Sequence, residues 1–210
     1  MIDFPEKTLV KRRLPKEAFY KHLPLSAALK SKFVSDVDCI MLENSLTRKN
    51  LNLAKDGEIK EIMLLSITLK KQNFDGKIVE AIARQNPHHL IFLLIYGDEF
   101  QLAVYPGRLH RTDWMKEREL PLTLSGNTLD EIWDNLVRQI AISSETVLSR
   151  KDQTIHEQLK MQDEINRLQM VIQKTEKAAW KEQQPKKRFG LYTKLQEYKK
   201  QLEEITHGQT

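Results

Sequence analysis

The side chains able to do chemistry fall into a few groups, each calling for a different reaction. His88 and His89 form the one dense histidine pair. A metal needs His, Cys, Asp or Glu converging at ligand spacing. Adjacent residues of a strand point to opposite faces, so the pair reads as two strand-entry histidines with ordinary roles, and no metal or other cofactor is expected. Glu58-Ile59-Lys60 has the tripeptide that a restriction-type nuclease uses, with Asp38 as the acid on an earlier strand; together they would converge on a divalent cation. The tripeptide stands before an apolar strand rather than within it, and surface charges produce it often by chance. A Gly-rich phosphate loop and a Gly-x-Ser-x-Gly elbow are absent, and Cys39 has no matching His and Asn. The sequence assigns no catalytic residue, and a non-enzymatic role is favoured.

Basic clusters are more tangible. Lys11, Arg12 and Arg13 stand near the N-terminus, and Lys181 with Lys186, Lys187 and Arg188 flanks Trp180, Phe189 and Tyr192. Positive charge interleaved with aromatics suits phosphate neutralisation plus base stacking. The plainer reading is a solvated helical face whose apolar residues cover a turn. A formal charge of +5, from 34 Lys+Arg against 29 Asp+Glu, permits a phosphate-bearing partner without demanding one.

These groups must be positioned by a sheet. Leu90 to Tyr96 is an unbroken apolar run, too short for a globular helix and rich in branched and aromatic residues, which predicts a strand covered on both faces. Gly97-Asp98 provides a two-residue turn, after which Phe100, Leu102 and Val104 alternate with Glu99, Gln101 and Ala103 as a half-covered neighbour. Glu61 to Leu69 is apolar on both faces and belongs beside the central strand. Between them Asp75 caps a helix carrying Ile78, Val79 and Ile82, which ends before Asn86-Pro87. Strand, helix, strand is the order of a crossover between parallel neighbours.

Upstream, residues 1 to 13 read as extended. Pro15 opens a short helix to about His22, Ser26 caps another through Phe33, and Val37 to Leu42 is a strand followed by a loop from Asn44 to Asn50. Downstream, Pro106 to Lys116 reads as irregular, and Leu120 to Leu124 as a short edge strand. Thr128 to Glu131 is a capping-box sequence before Ile132, Trp133, Leu136, Val137 and Ile140.

Between Gly126 and Pro185 there is neither glycine nor proline, which allows one helix from Leu129 to about Gln183, on the order of 80 Å long. Its first turns belong to the core; beyond Ser143-Ser144 the apolar residues are sparse. Pro185 and Gly190 interrupt, and two stripes follow helical spacing, Ile165, Leu168, Ile172 and Leu191, Leu195, Tyr198, Leu202. They predict a coiled-coil-like helical hairpin whose stripes form a partner interface. The expected organisation is an α/β (α+β) domain with a mixed central sheet over residues 1–143 and a helical extension over 144–210.

With 40% hydrophobic and 30% charged residues, the chain can bury one core and still carry such an appendage. A single cysteine permits no internal disulfide. No signal-peptide core and no apolar run near the roughly 20 residues of a bilayer span occurs, so a cytoplasmic protein with no membrane partner is expected.

Several landmarks together carry a resemblance: Leu14-Pro15-Lys16 before Phe19-Tyr20, Leu46 to Leu53 before the Glu61 strand, Ala81-Ile82 followed by Pro87 and Phe92, Asp113-Trp114, Leu129 to Ile140, and Lys181 to Tyr192 ahead of a charged Leu-rich helix. On these the chain resembles an uncharacterised prokaryotic family catalogued as a domain of unknown function, number 4391. The resemblance implies company with DNA methyltransferases and helicases of restriction and phage-defence clusters, and hence an accessory subunit. Three functions follow in order: an interaction module docking through its C-terminal helices on such an enzyme or on its own copy, direct nucleic-acid binding through the basic aromatic clusters, and a nuclease.

Overall fold

The computed structural model describes residues 2, 4–116, 122–142 and 153–207, without the side chains of Tyr20, Lys21, His22 and His207. After a short 3-10 turn at Glu6–Thr8, the strands are β1 (Leu9–Leu14), β2 (Val37–Thr47), β3 (Glu61–Leu69), β4 (His89–Tyr96), β5 (Glu99–Val104), β6 (His110–Arg111) and β7 (Met115–Lys116). The helices are α1 (Lys16–His22), α2 (Ala27–Asp36), α3 (Lys77–Gln85), α4 (Leu129–Ala141), α5 (Ile155–Lys181) and α6 (Pro185–His207). The chain divides into two compact units, Met1–Ala141 and Ile142–Thr210.

One mixed sheet of seven strands runs in the order β1-β2-β3-β4-β5-β6, with β7 also on β5. Every pair is antiparallel except β3 with β4, which α3 joins as the crossover expected from the sequence. Five consecutive residues of β4, Leu90 to Leu94, are buried, so both faces need cover. Leu90, Phe92 and Leu94 pack into one core with Phe33 of α2 and with Ile78, Val79 and Ile82 of α3. The opposite face belongs to α4, whose Trp133 meets the His89 ring edge-on at 4.7 Å between centroids.

Several segments differ from the sequence expectation. β2 continues to Thr47 instead of ending at Leu42, because Leu46 is buried and the amide of buried Asn44 donates to the Thr8 hydroxyl at 2.8 Å. β5 is buried on both faces from Gln101 to Val104, not half-covered; the Gln101 amide reaches the Thr112 carbonyl at 2.7 Å. The segment after Pro106 is not wholly irregular, since β6 and β7 fold back onto β5. Leu120 and Pro121 lie outside the described residues, and residues 122–124 form no strand.

The single long helix is also replaced. α4 ends at Ala141, and α5 starts afresh after Thr154, whose hydroxyl accepts from Glu157 N–H at 3.3 Å while the Glu157 carboxylate accepts from Thr154 N–H at 2.9 Å. That reciprocal box satisfies backbone donors that only a helix start leaves open. Ser143 and Ser144 lie outside the described residues.

Two carboxylates tie the first unit together. Asp36 is buried and binds Lys71 Nζ at 2.7 Å, with the Ser35 hydroxyl and the Asp75 N–H also donating to it. Burial pushes this carboxyl up, but the three donors outweigh burial and hold it below the usual range. Asp130, in the first turn of α4, accepts from the N–H groups of Glu58 and Ile59 at 3.2 and 3.4 Å. The approach is so close that a Cβ at Gly57 would stand 1.7 Å from Asp130 Oδ2.

Gly57→Ala is therefore expected to push the loop off α4 and to cost about 1–3 kcal/mol, read as a lower urea midpoint at unchanged m-value. His89 gives a pH signature. Burial pushes its pKa below the ordinary 6.5, with His88 acting the same way and Asp130 the other. A depressed imidazole favours the neutral form in the folded state, so this contribution is whole above pH 6.5 and is lost as pH falls from 6.5 through the lowered folded value. In urea titrations at pH 7.5 and 5.5, wild type is expected to lose more stability on acidification than His89→Phe.

Candidate contact surface at the hairpin end

The second unit is built from α5, a three-residue connection at 182–184, and α6, with Pro185 at the first helical position where its missing N–H costs nothing. Gly190 does not interrupt; it lies inside α6 with open space around it. The second helix folds back on the first, with Lys199 Nζ 3.8 Å from Glu176 Oε1. Ile165, Leu168, Ala179 and Leu195 are buried. Ile172, Leu191, Tyr198 and Leu202 are partly covered. The stripes read from the sequence as a partner interface are thus largely covered within the chain.

The outer surface has another character. Trp180 is 78% exposed, Phe189 75% and Tyr192 41%, so these rings do not cover the turn; small Ala179 and Leu195 are the buried residues there. Phe189 and Tyr192 stand three apart on one face of α6, and Trp180 is the penultimate residue of α5, before the connection. Lys181, Lys186, Lys187 and Arg188 surround them, all exposed.

From Lys174 to Lys194 there are seven cations, Lys174, Lys177, Lys181, Lys186, Lys187, Arg188 and Lys194, against Glu176 and Glu182. That net +5 equals the formal charge of the whole chain; elsewhere the two signs balance at 27 each, 34 less seven and 29 less two. Among the described residues none of the seven forms an ion pair. Both acids are engaged, Glu176 with Lys199 and Glu182 with the Gln184 N–H at 2.9 Å.

The placement works against the helix itself. A helix N-terminus carries partial positive charge and favours anions by about 0.3–1 kcal/mol each. α6 has no acid in its first turn and places Lys186, Lys187 and Arg188 there instead. Gly190 adds the cost of glycine in an exposed helix interior, about 1 kcal/mol relative to alanine.

The other sequence candidates lie in the first unit. Lys11, Arg12 and Arg13 lie exposed on β1, the outermost strand. They belong to the first unit and the aromatic cluster to the second. Asp38 lies beside the Val37↔Leu69 end of the β2–β3 ladder, whereas Glu58 precedes the Thr47↔Glu61 end. Seven residues of strand from Thr68 to Glu61 put about 23 Å between them, so the nuclease constellation does not converge. His88 pairs with Glu61 at 3.3 Å and His89 with Trp133, as the strand-entry reading requires. Among the described residues no group of three or more His, Cys, Asp or Glu could hold a metal ion, and no helix is long and apolar enough to cross a membrane.

Lys187→Glu and Gly190→Ala are each expected to raise the thermal midpoint of the chain, by relieving the dipole clash and the helix penalty respectively. Differential scanning calorimetry of the two variants checks this.

No curated protein and no solved structure matches the chain significantly. A family model described as Domain of unknown function (DUF4391) matches residues 2–202, nearly the full length, and the chain belongs to that family.

Proposed function

We propose that this protein is a non-catalytic accessory subunit of a DNA-processing assembly of the restriction or phage-defence kind, and that it works by contact through the end of its C-terminal hairpin. The observation that carries the reading is the coincidence of three exposed aromatic rings with the chain's entire excess of positive charge on the segment from Lys174 to Lys194, at the hairpin connection and its flanks. Large exposed rings cost the isolated chain solvation free energy, and contact with a partner recovers it. The restriction and phage-defence setting is supported by the family resemblance alone. A DNA helicase or methyltransferase of the same system is the partner of choice; self-association is the alternative.

A second reading, direct contact with nucleic acid, is favoured by the sign and concentration of the charge. Both readings use the same surface and differ in what touches it.

Co-expression with the neighbouring helicase or methyltransferase, followed by measurement of solution mass, tests the first. The full chain is expected to form a complex of fixed stoichiometry. A truncation lacking residues 146–210 is expected to keep the circular dichroism of its sheet and lose the complex. Retention of the partner by the truncated chain at the same stoichiometry would place docking on the first unit and overturn the proposal.

A further inference from the structure

The hairpin end is chemically more selective than a generic basic patch. A double helix offers phosphates to cations but keeps its base faces stacked, so exposed rings gain little from it. A single strand offers both phosphates and free base faces. Phe189 and Tyr192 share one helix face, and Trp180 lies in the last turn of α5 before the three-residue connection, so three exposed rings flank the hairpin connection. Lys181, Lys186, Lys187 and Arg188 flank those rings, with no carboxylate partner among the described residues. The first turn of α6 adds backbone N–H groups at the positive end of a 23-residue helix, where like charge is retained although it destabilises the free protein. An anion bound there removes that conflict, so the arrangement favours a phosphate chain over a neutral partner.

We propose that Lys174 to Lys194 is a binding site for single-stranded nucleic acid, with bases stacked on Trp180, Phe189 and Tyr192 and phosphates held by Lys181, Lys186, Lys187 and Arg188. This deepens the reading that the hairpin end is the contact surface and rests on it. The site reads shape and charge, not base identity, because every base has a face to stack.

Fluorescence anisotropy with the full chain tests it, using labelled oligothymidylate of about 12 nucleotides, a blunt duplex of equal length, and vesicles of phosphatidylglycerol. Oligothymidylate is expected to bind, with log affinity falling against log salt at a slope near −3, about 0.7 for each of four phosphates. The triple change Trp180→Ala, Phe189→Ala, Tyr192→Ala is expected to lose about tenfold in single-strand affinity per ring and to leave duplex affinity within about twofold. Reversal by Lys186→Glu, Lys187→Glu and Arg188→Glu is expected to abolish both. If the triple ring variant loses its circular dichroism, Trp180→Ala alone is used, with about tenfold loss of oligothymidylate affinity at duplex affinity unchanged within about twofold as the reading.

Equal binding of single strand and duplex, insensitive to the rings, overturns the proposal. So does binding to vesicles without binding to oligothymidylate, which would assign the surface to an anionic membrane. Absence of binding to every probe at low salt overturns it as well. If in that case the charge-reversed chain still fails to form the partner complex, the contact surface stands as a protein interface and only the single-strand assignment falls.

Discussion

A strand of five consecutive buried apolar residues has no face to offer water, and in this protein that requirement governs the whole first unit. Leu90 to Leu94 must be covered above and below. The parallel crossover through α3 supplies one lid together with α2, and α4 supplies the other. The loop at Gly57 to Ile59, which leads into β3, is anchored on Asp130 of the second lid, so the sheet and its cover are joined through backbone donors as well as through packing. Asp36 does the same at the junction of α2, β3 and the approach to α3, where a buried carboxylate is tolerated because three donors surround it.

The legible parts of this fold are those whose pattern is dictated by two-sided burial. β3, β4 and α3 declare themselves through apolar runs and spacing that no other conformation would use. The less legible parts depend on a partner distant in sequence. Asn44 looks like a turn residue until Thr8 arrives to take its amide, and Gln101 looks solvent-facing until β6 brings Thr112 against it. Thr154 was hidden for a different reason: its box with Glu157 is written in residues equally at home inside a helix, so the absence of glycine and proline suggested continuity. At the candidate site the residue types were readable, but exposure was not. Tryptophan and phenylalanine usually turn inward, whereas here Ala179 and Leu195 are the buried residues and Trp180 and Phe189 stand outside.

The hairpin shows how an amphipathic sequence spends its apolar residues. The Ile165–Leu168 stripe and Leu195 are consumed in the fold; of the large apolar side chains left exposed in this unit, Met170 lies along α5, whereas Trp180, Phe189 and Tyr192 gather towards the hairpin connection. There α6 accepts a poor charge arrangement and a glycine. Sequences under selection for stability alone have easy ways to relieve both, and their joint presence accords with the contact role proposed for this end of the hairpin.

At the other end of the polypeptide, β1 presents the open border of the sheet. Lys11 adopts φ 49°, and the pairing slips by one residue between Leu9 and Arg12, so the border is kinked at the point where cations line it. A newcomer strand laid against this border would meet a broken ladder and a row of like charges. The consequence is a sheet with a built-in stop: Leu9 and Val10 are left uncovered, yet cross-β growth or strand exchange between molecules is discouraged at the place most vulnerable to it.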